Sequence, residues 1–339
     1  MKRSRSRKKG DIHAIAKEAG VSLMTVSRAM RGVEGVSEAR RNEIAAIARR
    51  LNYVPNSNAR ALAMDNANLI GVSLPNLFND VFADVLNGMR GAIEYAGYSS
   101  IVDTTDYSSK NELAWLERLL TWRPVGVVLT GVDHDPALRE RLQKSGIPTL
   151  ETWDFSIDPI DICVGIDHRA AGRQIGEYIV SLGYQRPVYI GTKPGRDLRA
   201  EDRAAGIADA FSAVGIQPVP RIFAPDASNF VMGARGFSIA LEGYSPDVVF
   251  FLSDHYAVGG LMAAIKMGIS VPDQLGIVGY NDLAINAILP HRLTTVRTPR
   301  RQMGIMGARN LLARINNVPV EKAISLPVEV VIGDTTRQQ

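Results

Sequence analysis

Residues 22–28 read SLMTVSR and bring apolar, hydroxyl and cationic side chains together within two helical turns. If this stretch is helical, Val26 faces inward, and the opposite face carries Leu23, Met24, Thr25, Ser27 and Arg28. The two apolar members can contact a base edge such as a thymine methyl group, while the serine and the arginine can bond to a phosphate or a base. Together with Ser22, the predicted N-cap, these residues form a predicted DNA-contacting surface.

Two short strings contain the residue types of a reactive centre, but neither has the spacing for one. Ser253-Asp254-His255 has the members of a hydrolase triad, yet three consecutive residues cannot converge on one reacting atom. Asp133-His134-Asp135 has metal-ligand types, but no further ligand pair occurs at suitable spacing, so a solvated loop is predicted. The single cysteine, Cys163, lies in an apolar stretch and is predicted to be a buried strand residue.

Motifs that bind the phosphates of a cofactor are missing as well. No predicted strand is followed by G-x-G-x-x-G or by G-x-x-x-x-G-K-[ST], and the chain has no G-x-S-x-G. We therefore expect no cofactor, no metal site and no enzymatic activity.

Several polar side chains follow predicted strands in the larger, second part of the chain. Those that could meet in a cleft are Glu151, Asp154, Arg203, Ser253, Asp254 and Asn281, with Phe82 as an aromatic neighbour. Carboxylates accept hydrogen bonds from hydroxyls, arginine bonds to a carboxylate or to hydroxyls, and an aromatic face stacks on a ring or chain. This chemistry suits a polyhydroxylated ligand, a small sugar or sugar acid.

Three short helices would position the first of these two residue sets. Apolar residues recur at helical spacing over 12–19, and Gly20 stands where that helix would stop. A second helix follows Ser22, a third is predicted over 37–51, and this arrangement presents the second helix to the major groove as in a helix-turn-helix. Residues 1–65 contain fourteen Lys and Arg against six Asp and Glu. Such a concentration of positive charge is typical of a nucleic-acid-binding domain.

Apolar strands and amphipathic helices alternate from residue 69 onward. Strands are predicted at 69–74, 100–104, 125–129, 149–151, 163–166, 188–190, 248–252 and 275–278. There are too many such units for one sheet, and parallel doubly wound sheets bind ligands at the carboxyl ends of their strands. The predicted fold class is an N-terminal all-α helix-turn-helix head plus an α/β core of two doubly wound parallel-sheet lobes.

The chain offers no signal for export or for a membrane. Its basic N-terminus is not followed by an apolar segment, and no run of 18 apolar residues occurs among the 339. We therefore expect a cytoplasmic protein that has no membrane partner.

Two strings carry a family resemblance. AGVSLMTVSRAM in the predicted head and LNYVPNSNARALA after it resemble the DNA-binding head and hinge of the LacI family of bacterial transcription regulators. PNLFNDVFADVLNGM, LLTWRPVGVVLTG and GARNLLARI are similar to the gluconate-operon repressor subgroup. The resemblance runs through almost the whole chain, and it implies a core like that of the periplasmic sugar-binding proteins.

The resemblance also implies domain boundaries. These are a basic tail (1–9), the head (10–54), a hinge helix or linker (55–66), a first lobe (67–165 with 293–332) and a second lobe (166–292). In the family the hinge orders on operator DNA and inserts a leucine into the minor groove, a position that Leu62 occupies here, and Asn56 and Ala59 belong to the same predicted DNA-binding segment.

For the cleft, the resemblance implies that Arg203 grips the effector and that Phe82 stacks on it. Ser253 stands where an asparagine is common in the family, and Asn281 stands where an aspartate is common. The identity of the sugar therefore cannot be transferred from better-known members.

Two classes of function compete. The first is a sequence-specific regulator, a repressor, that binds a pseudo-palindromic double-stranded operator as a homodimer under allosteric control of a small sugar or sugar acid such as gluconate. The second is a sugar-binding or NAD-dependent α/β protein without regulatory DNA binding. The missing signal peptide argues against the sugar-binding form of the second class, the missing phosphate motifs argue against the NAD-dependent form, and the basic head argues against both. We therefore predict the regulator.

Overall fold

The computed structural model describes residues 11–53, 68–77, 80–217, 219–223 and 230–338. The chain divides into two compact units between residues 67 and 68. The predicted tail (1–9) and the hinge residues Asn56, Ala59 and Leu62 lie outside the described residues. Their assigned roles stay predictions.

The first unit contains three helices, α1 (Ile12–Ala19), α2 (Leu23–Arg31) and α3 (Glu38–Arg50). Each begins at a residue whose side-chain oxygen accepts a backbone N–H, namely Asp11, Ser22 and Ser37. Such N-caps satisfy donors that have no partner inside the helix. Gly20 ends α1 with φ 64°, a left-handed conformation that suits glycine, so α2 can turn sharply away.

A small apolar cluster holds these three helices together. Its buried members are Ile15, Ala16, Ala19, Val26, Ile44 and Ala48, and Tyr53 packs against it. The cluster takes residues from all three helices, so the inward side of α2 is fixed and its other side faces outward. A core this small supplies limited stability.

The second unit alternates strands and helices. Its strands are β1 (Leu69–Leu74), β2 (Ser99–Thr104), β3 (Gly126–Thr130), β4 (Thr149–Asp154), β5 (Ile162–Ile166), β6 (Pro187–Gly191), β7 (Arg221–Phe223), β8 (Val248–Phe251), β9 (Gly276–Val278), β10 (Thr295–Arg297), β11 (Ala323–Ser325) and β12 (Glu329–Val331). Its helices are α4 (Asp80–Tyr95), α5 (Ser109–Leu120), α6 (Pro136–Ser145), α7 (His168–Ser181), α8 (Leu198–Ser212), α9 (Phe230–Tyr244), α10 (Asp254–Lys266) and α11 (Arg300–Ile315). Each of the eight predicted strands overlaps an observed one.

Two parallel sheets form the two lobes. The first has the order β11-β5-β4-β3-β1-β2, and the second has the order β7-β6-β8-β9. In β3, Val128 packs on one face of the first sheet, while Val127 and Leu129 pack on the other. Side chains alternate along a strand, so both faces of the sheet are covered by helices.

The chain passes between the lobes around 166–168, 297–300 and 325–329. The expected first-lobe segment 293–332 is therefore divided: α11 and β11 join the first lobe, but β10 and β12 pair with each other antiparallel. Leu293 and Val296 pack in the apolar cluster of the second lobe. Next to them, the carbonyl of Thr335 accepts from the N–H of Ile277 at the edge of β9.

Helices α4 and α11 pack backbone to backbone. A Cβ atom built on Gly88 would lie 2.4 Å from the carbonyl oxygen of Arg301, and one built on Gly304 would lie 2.1 Å from that of Val85. This close contact joins the C-terminal α11 to the first lobe. Among the described helices, none has both the length and the apolar character that crossing a membrane requires.

Candidate functional site

The outward side of α2 is the candidate DNA-binding surface. Met24 is 63% exposed and Leu23 is 39% exposed, whereas Val26 on the opposite side is fully buried. These two side chains therefore leave apolar surface exposed on this side of the helix, where it is suited to contact base edges. Arg28 is also exposed one turn further along.

Two of the predicted contact residues hold the helix in place. Ser22 Oγ accepts from the backbone N–H of Thr25 at 3.1 Å, and its hydroxyl is 2.9 Å from Thr25 Oγ1. Ser27 is half-buried and has a polar partner. Ser22 therefore fixes the start of α2, which places Leu23 and Met24 at its exposed end.

In the second unit, a polar cavity of about 190 Å³ lies between the lobes at the carboxyl ends of strands. The first lobe contributes residues including Thr105, Tyr107, Thr130, Asp133 and Asp154, and the second contributes Gly195, Arg196, Leu198 and Arg199. Carboxylate, hydroxyl and guanidinium groups thus face one another here.

Arg199 is the central cation of this cavity. Its side chain is 12% exposed, and it lies 3.3 Å from Asp197 Oδ1 and 3.7 Å from Asp154 Oδ2 of the other lobe. Its guanidinium carbon is 5.5 Å from the centroid of the Tyr107 ring. Burial opposes its charge, but the carboxylates of Asp154 and Asp197 outweigh burial and raise the pKa of Arg199.

The pKa values of two neighbours of Arg199 shift in opposite directions, although burial acts on both in the same way. Burial raises the pKa of Tyr107 to about 12, so the phenol stays protonated and can donate. Burial disfavours ionised Asp197 too, but the cations of Arg199 and Arg203 outweigh burial and lower the pKa of Asp197. The carboxylate of Asp197 therefore stays charged and fixes the start of α8 by accepting from the N–H of Ala200.

Arg203, the predicted effector-gripping residue, lies one helical turn after Arg199 and is 5% exposed. Its Nη2 donates to the carbonyl of Leu252 at 3.2 Å, and its guanidinium lies 4.3 Å from the centroid of the Tyr280 ring. It is not among the residues that line the cavity. Phe82 is buried as well, and its ring packs edge-on against Trp153 with the centroids 5.7 Å apart.

Glu151 is placed inside the first lobe. It is fully buried, it accepts from the N–H of Ile160, and its Oε1 lies 3.5 Å from His134 Nε2. His134 also contacts Glu112 Oε2 at 2.7 Å, and its side chain is 2% exposed. The prediction of a solvated loop at 133–135 was therefore wrong for His134.

The charge on His134 follows from these neighbours. Burial lowers the pKa of His134, but the carboxylates of Glu112 and Glu151 outweigh burial and raise it. Burial also raises the pKa of Glu151. No group of three or more His, Cys, Asp or Glu side chains in the described ranges could hold a metal ion.

Asp254 is engaged in a structural contact. It is fully buried, and its carboxylate accepts from the N–H of Leu283 and from Thr295 Oγ1, both at 2.7 Å. Burial raises its pKa to about 7. Ser253 is buried at the N-cap of α10, and Asn281 is buried beside Thr298 with φ 107°. These residues support the segment that carries the chain back to the first lobe.

Of the predicted effector residues, the structure thus places Asp154 in the cavity wall. Arg203 lies outside the wall, one helical turn after Arg199. Sequence reasoning missed Tyr107, Arg196 and Arg199. A usable signal existed for Arg199, because it lies four positions before Arg203 and residues at this spacing share one helical face. Cys163 is buried as predicted, and burial raises the pKa of its thiol to about 12, which leaves it unreactive.

A helix-turn-helix with an exposed apolar and cationic recognition surface, joined to a two-lobed α/β unit with a polar cleft, defines a class of protein. Its members bind DNA with one unit and a small ligand with the other.

Comparisons with known proteins place the chain within that class. A model of the lacI family of bacterial regulatory proteins matches residues 11–56, and a periplasmic binding protein-like domain matches residues 177–336. The HTH-type transcriptional regulator GntR of Escherichia coli K12 is 34% identical over 315 residues, which are 93% of this chain and 94% of the relative. The chain therefore belongs to the LacI family.

Two solved structures of regulators are similar to this chain over almost its whole length. A LacI-family transcriptional regulator from Silicibacter pomeroyi has a TM-score of 0.91 at 35% identity and covers 97% of this chain and 100% of its own. A Lac repressor dimer bound to operator and the anti-inducer ONPF has a TM-score of 0.84 at 25% identity, with 97% and 99% covered. The predicted family, fold class and DNA-binding regulatory function are confirmed.

Proposed function

We propose that this protein is a repressor that binds a pseudo-palindromic operator as a homodimer, and that a small sugar acid bound between the lobes sets its operator affinity. Gluconate is the first compound to test, because three stretches of the sequence resemble the gluconate-operon repressors. On the DNA side, the proposal is supported by the exposed surface of α2 and by the similarity to an operator-bound Lac repressor dimer.

The observation that carries the choice of ligand is the pair of guanidinium groups that the second lobe contributes to a cavity wall otherwise containing carboxylates and hydroxyls. Arg196 and Arg199 are both in that wall, and Arg199 reaches Asp154 only at 3.7 Å, longer than a charge-assisted hydrogen bond. A ligand carboxylate can therefore pair with Arg199. The hydroxyls of the same ligand can donate to Asp154 from the other lobe.

A ligand held this way contacts both lobes at once. It binds more tightly to the conformation in which Asp154 and Arg199 face each other than to one in which they are apart. Only such a difference in affinity lets a ligand shift a conformational equilibrium, and operator affinity changes if the two conformations bind DNA differently.

The test compares gluconate with glucitol, which has the same carbon chain and an uncharged hydroxymethyl group in place of the carboxylate. Operator DNA is first selected from random duplexes by the protein itself. We expect gluconate, but not glucitol, to raise the melting temperature by mass action and to change the affinity for that operator. Equal effects of the two compounds would contradict an acid-specific site. No effect of either compound on a protein that binds its operator would contradict the proposed ligand class.

A further inference from the structure

His168, at the start of α7, is a buried polar side chain that the effector chemistry described above does not use. It is 4% exposed, and its ring centroid lies 5.9 Å from that of Trp153 in the first lobe and 6.3 Å from that of Tyr280 in the second. Its Nε2 lies 3.1 Å from Oδ1 of Asp154. A residue of the second lobe thus directly faces the one predicted effector residue in the cavity wall.

Hydrogen bonding assigns the proton on this imidazole. Arg203 Nη1 lies 3.3 Å from His168 Nδ1, and a guanidinium group can only donate. Nδ1 must therefore accept, so the proton of a neutral ring is on Nε2. The hydroxyl of Tyr280, 3.4 Å from the same Nδ1, can donate to it as well.

The surroundings also keep the ring uncharged. Burial lowers the pKa of His168, and the cations of Arg203 and Arg199 act in the same direction. The carboxylate of Asp154 opposes them without reversing the shift. His168 is therefore a fixed, neutral donor through Nε2.

Two buried polar atoms face each other here without a hydrogen bond in the described part of the chain: Asp154 Oδ1 and His168 Nε2. Nε2 and Oδ1 are 3.1 Å apart and attract each other electrostatically, but neither atom completes a hydrogen bond. Buried polar atoms without a hydrogen bond are rare in folded proteins, and two that face each other from opposite lobes indicate a place for a ligand group. This cluster of Asp154 and His168 offers one donor and one acceptor, which a hydroxyl matches because it both accepts and donates.

We propose that His168 is a specificity-determining residue of the effector site: its Nε2–H donates to one hydroxyl of the effector, and that hydroxyl donates to Asp154 Oδ1. This inference rests on the proposed function, in which a polyhydroxylated acid binds in the cleft. It adds that one particular hydroxyl is recognised by a histidine donor and a carboxyl acceptor that belong to opposite lobes.

Two substitutions distinguish the roles of the two ring nitrogens of His168. In His168→Gln, the amide nitrogen can reach the position of Nε2 and keep a donor there. In His168→Asn, the amide oxygen can take the position of Nδ1 and keep the acceptor for Arg203, but the donor is lost. We expect the glutamine variant to retain most of the gluconate affinity and the asparagine variant to lose about 10- to 100-fold, as for an unpartnered buried group.

Calorimetric titration of the full-length protein with gluconate measures these affinities, and the melting temperature of each variant reports its folding. His291→Gln, a histidine outside the cluster, is the matched control and should bind as the wild type does. If His168→Asn bound gluconate more tightly than His168→Gln, His168 would serve only as an acceptor for Arg203, and the inference would be overturned. Equal affinities of the two variants would likewise overturn the inference.

A second measurement needs no variant and decides the question if either one fails to fold. Wild-type protein is titrated with the monodeoxy analogues of gluconate, one for each hydroxyl. One analogue should lose about 10-fold or more in affinity, because the missing hydroxyl leaves Asp154 and His168 unpartnered again. Affinities within about 3-fold of gluconate for every analogue would overturn the inference while leaving the proposed function intact. A wild type that binds neither gluconate nor any analogue would overturn the proposed function itself.

Discussion

At single residues, the sequence was sufficient to predict the environment of some side chains but not of others. Cys163 was predicted correctly because the apolar residues around it are its neighbours in the chain. His134 was not, since the carboxylate that it contacts belongs to Glu112, 22 residues earlier. Asp254 likewise meets Thr295, 41 residues later, through a passage between the lobes. Partners this distant in sequence leave no local pattern to read.

The raised pKa of Asp254 leads to a prediction about stability. With a pKa of about 7 when folded against an ordinary value of 3.8, this carboxyl binds its proton more tightly in the folded protein. Its contribution to stability is therefore complete below about pH 4 and is lost as the pH rises to about 7. An asparagine side chain cannot ionise, so Asp254→Asn removes this dependence.

Urea unfolding of both proteins at pH 5 and at pH 8 measures the effect. The stability of the wild type relative to Asp254→Asn should fall between the two values by an amount on the order of 1–3 kcal/mol. A difference that stays constant, or that grows with pH, would show that Asp254 is ionised in the folded protein across this range.

At the scale of elements, periodicity and capping predicted the long helices and the buried strands. Strands β7, β10, β11 and β12 were missed, and each has only three residues. A stretch of three residues is too short to show alternation, and these strands form because a neighbouring strand is already in place. The position of α2 was predictable, since Ser22 and Gly20 fix its start locally.

The exposed end of α2 leads to a prediction about DNA. Met24→Ala should change base preference at one position of each operator half-site, because this side chain is 63% exposed and contributes nothing to the apolar cluster of its unit. Arg28→Ala should weaken binding to operator DNA. Selection from random duplexes, followed by sequencing, measures both preferences. If the Met24→Ala variant selects the wild-type sequence with the wild-type spread, the residue does not face a base.

For the whole molecule, the two-lobed core was predictable from the number of βα units, but the partition of its last segment was not. Nothing in the apolar pattern of residues 293–332 indicates that β10 and β12 pair with each other while α11 packs on α4. The same difficulty affects the cleft. Its wall combines Tyr107, Asp154 and Arg199, which come from opposite lobes and meet only after both sheets have formed.

This arrangement makes Arg199 the residue on which ligand response should depend most. Arg199→Met keeps much of the side-chain length and removes the cation, so a bound carboxylate would lie in the cleft without its partner. The loss of one member of a buried charge pair costs about 2–5 kcal/mol, or roughly 30-fold to several thousand-fold in gluconate affinity. Because glucitol has no carboxylate, any weak binding of glucitol should change far less.

Arg173→Met is the matched control, since Arg173 is a half-exposed arginine on α7 whose partner, Asp209, lies outside the cavity. Titration with both compounds, followed by operator binding with and without gluconate, should show a lost response in Arg199→Met and a normal one in Arg173→Met. A response of Arg199→Met at wild-type gluconate concentrations would exclude this guanidinium as the carboxylate partner. The carboxylate partner would then be expected to be Arg203, the buried arginine one turn further along α8. In that case Arg203→Met, rather than Arg199→Met, should abolish the response to gluconate.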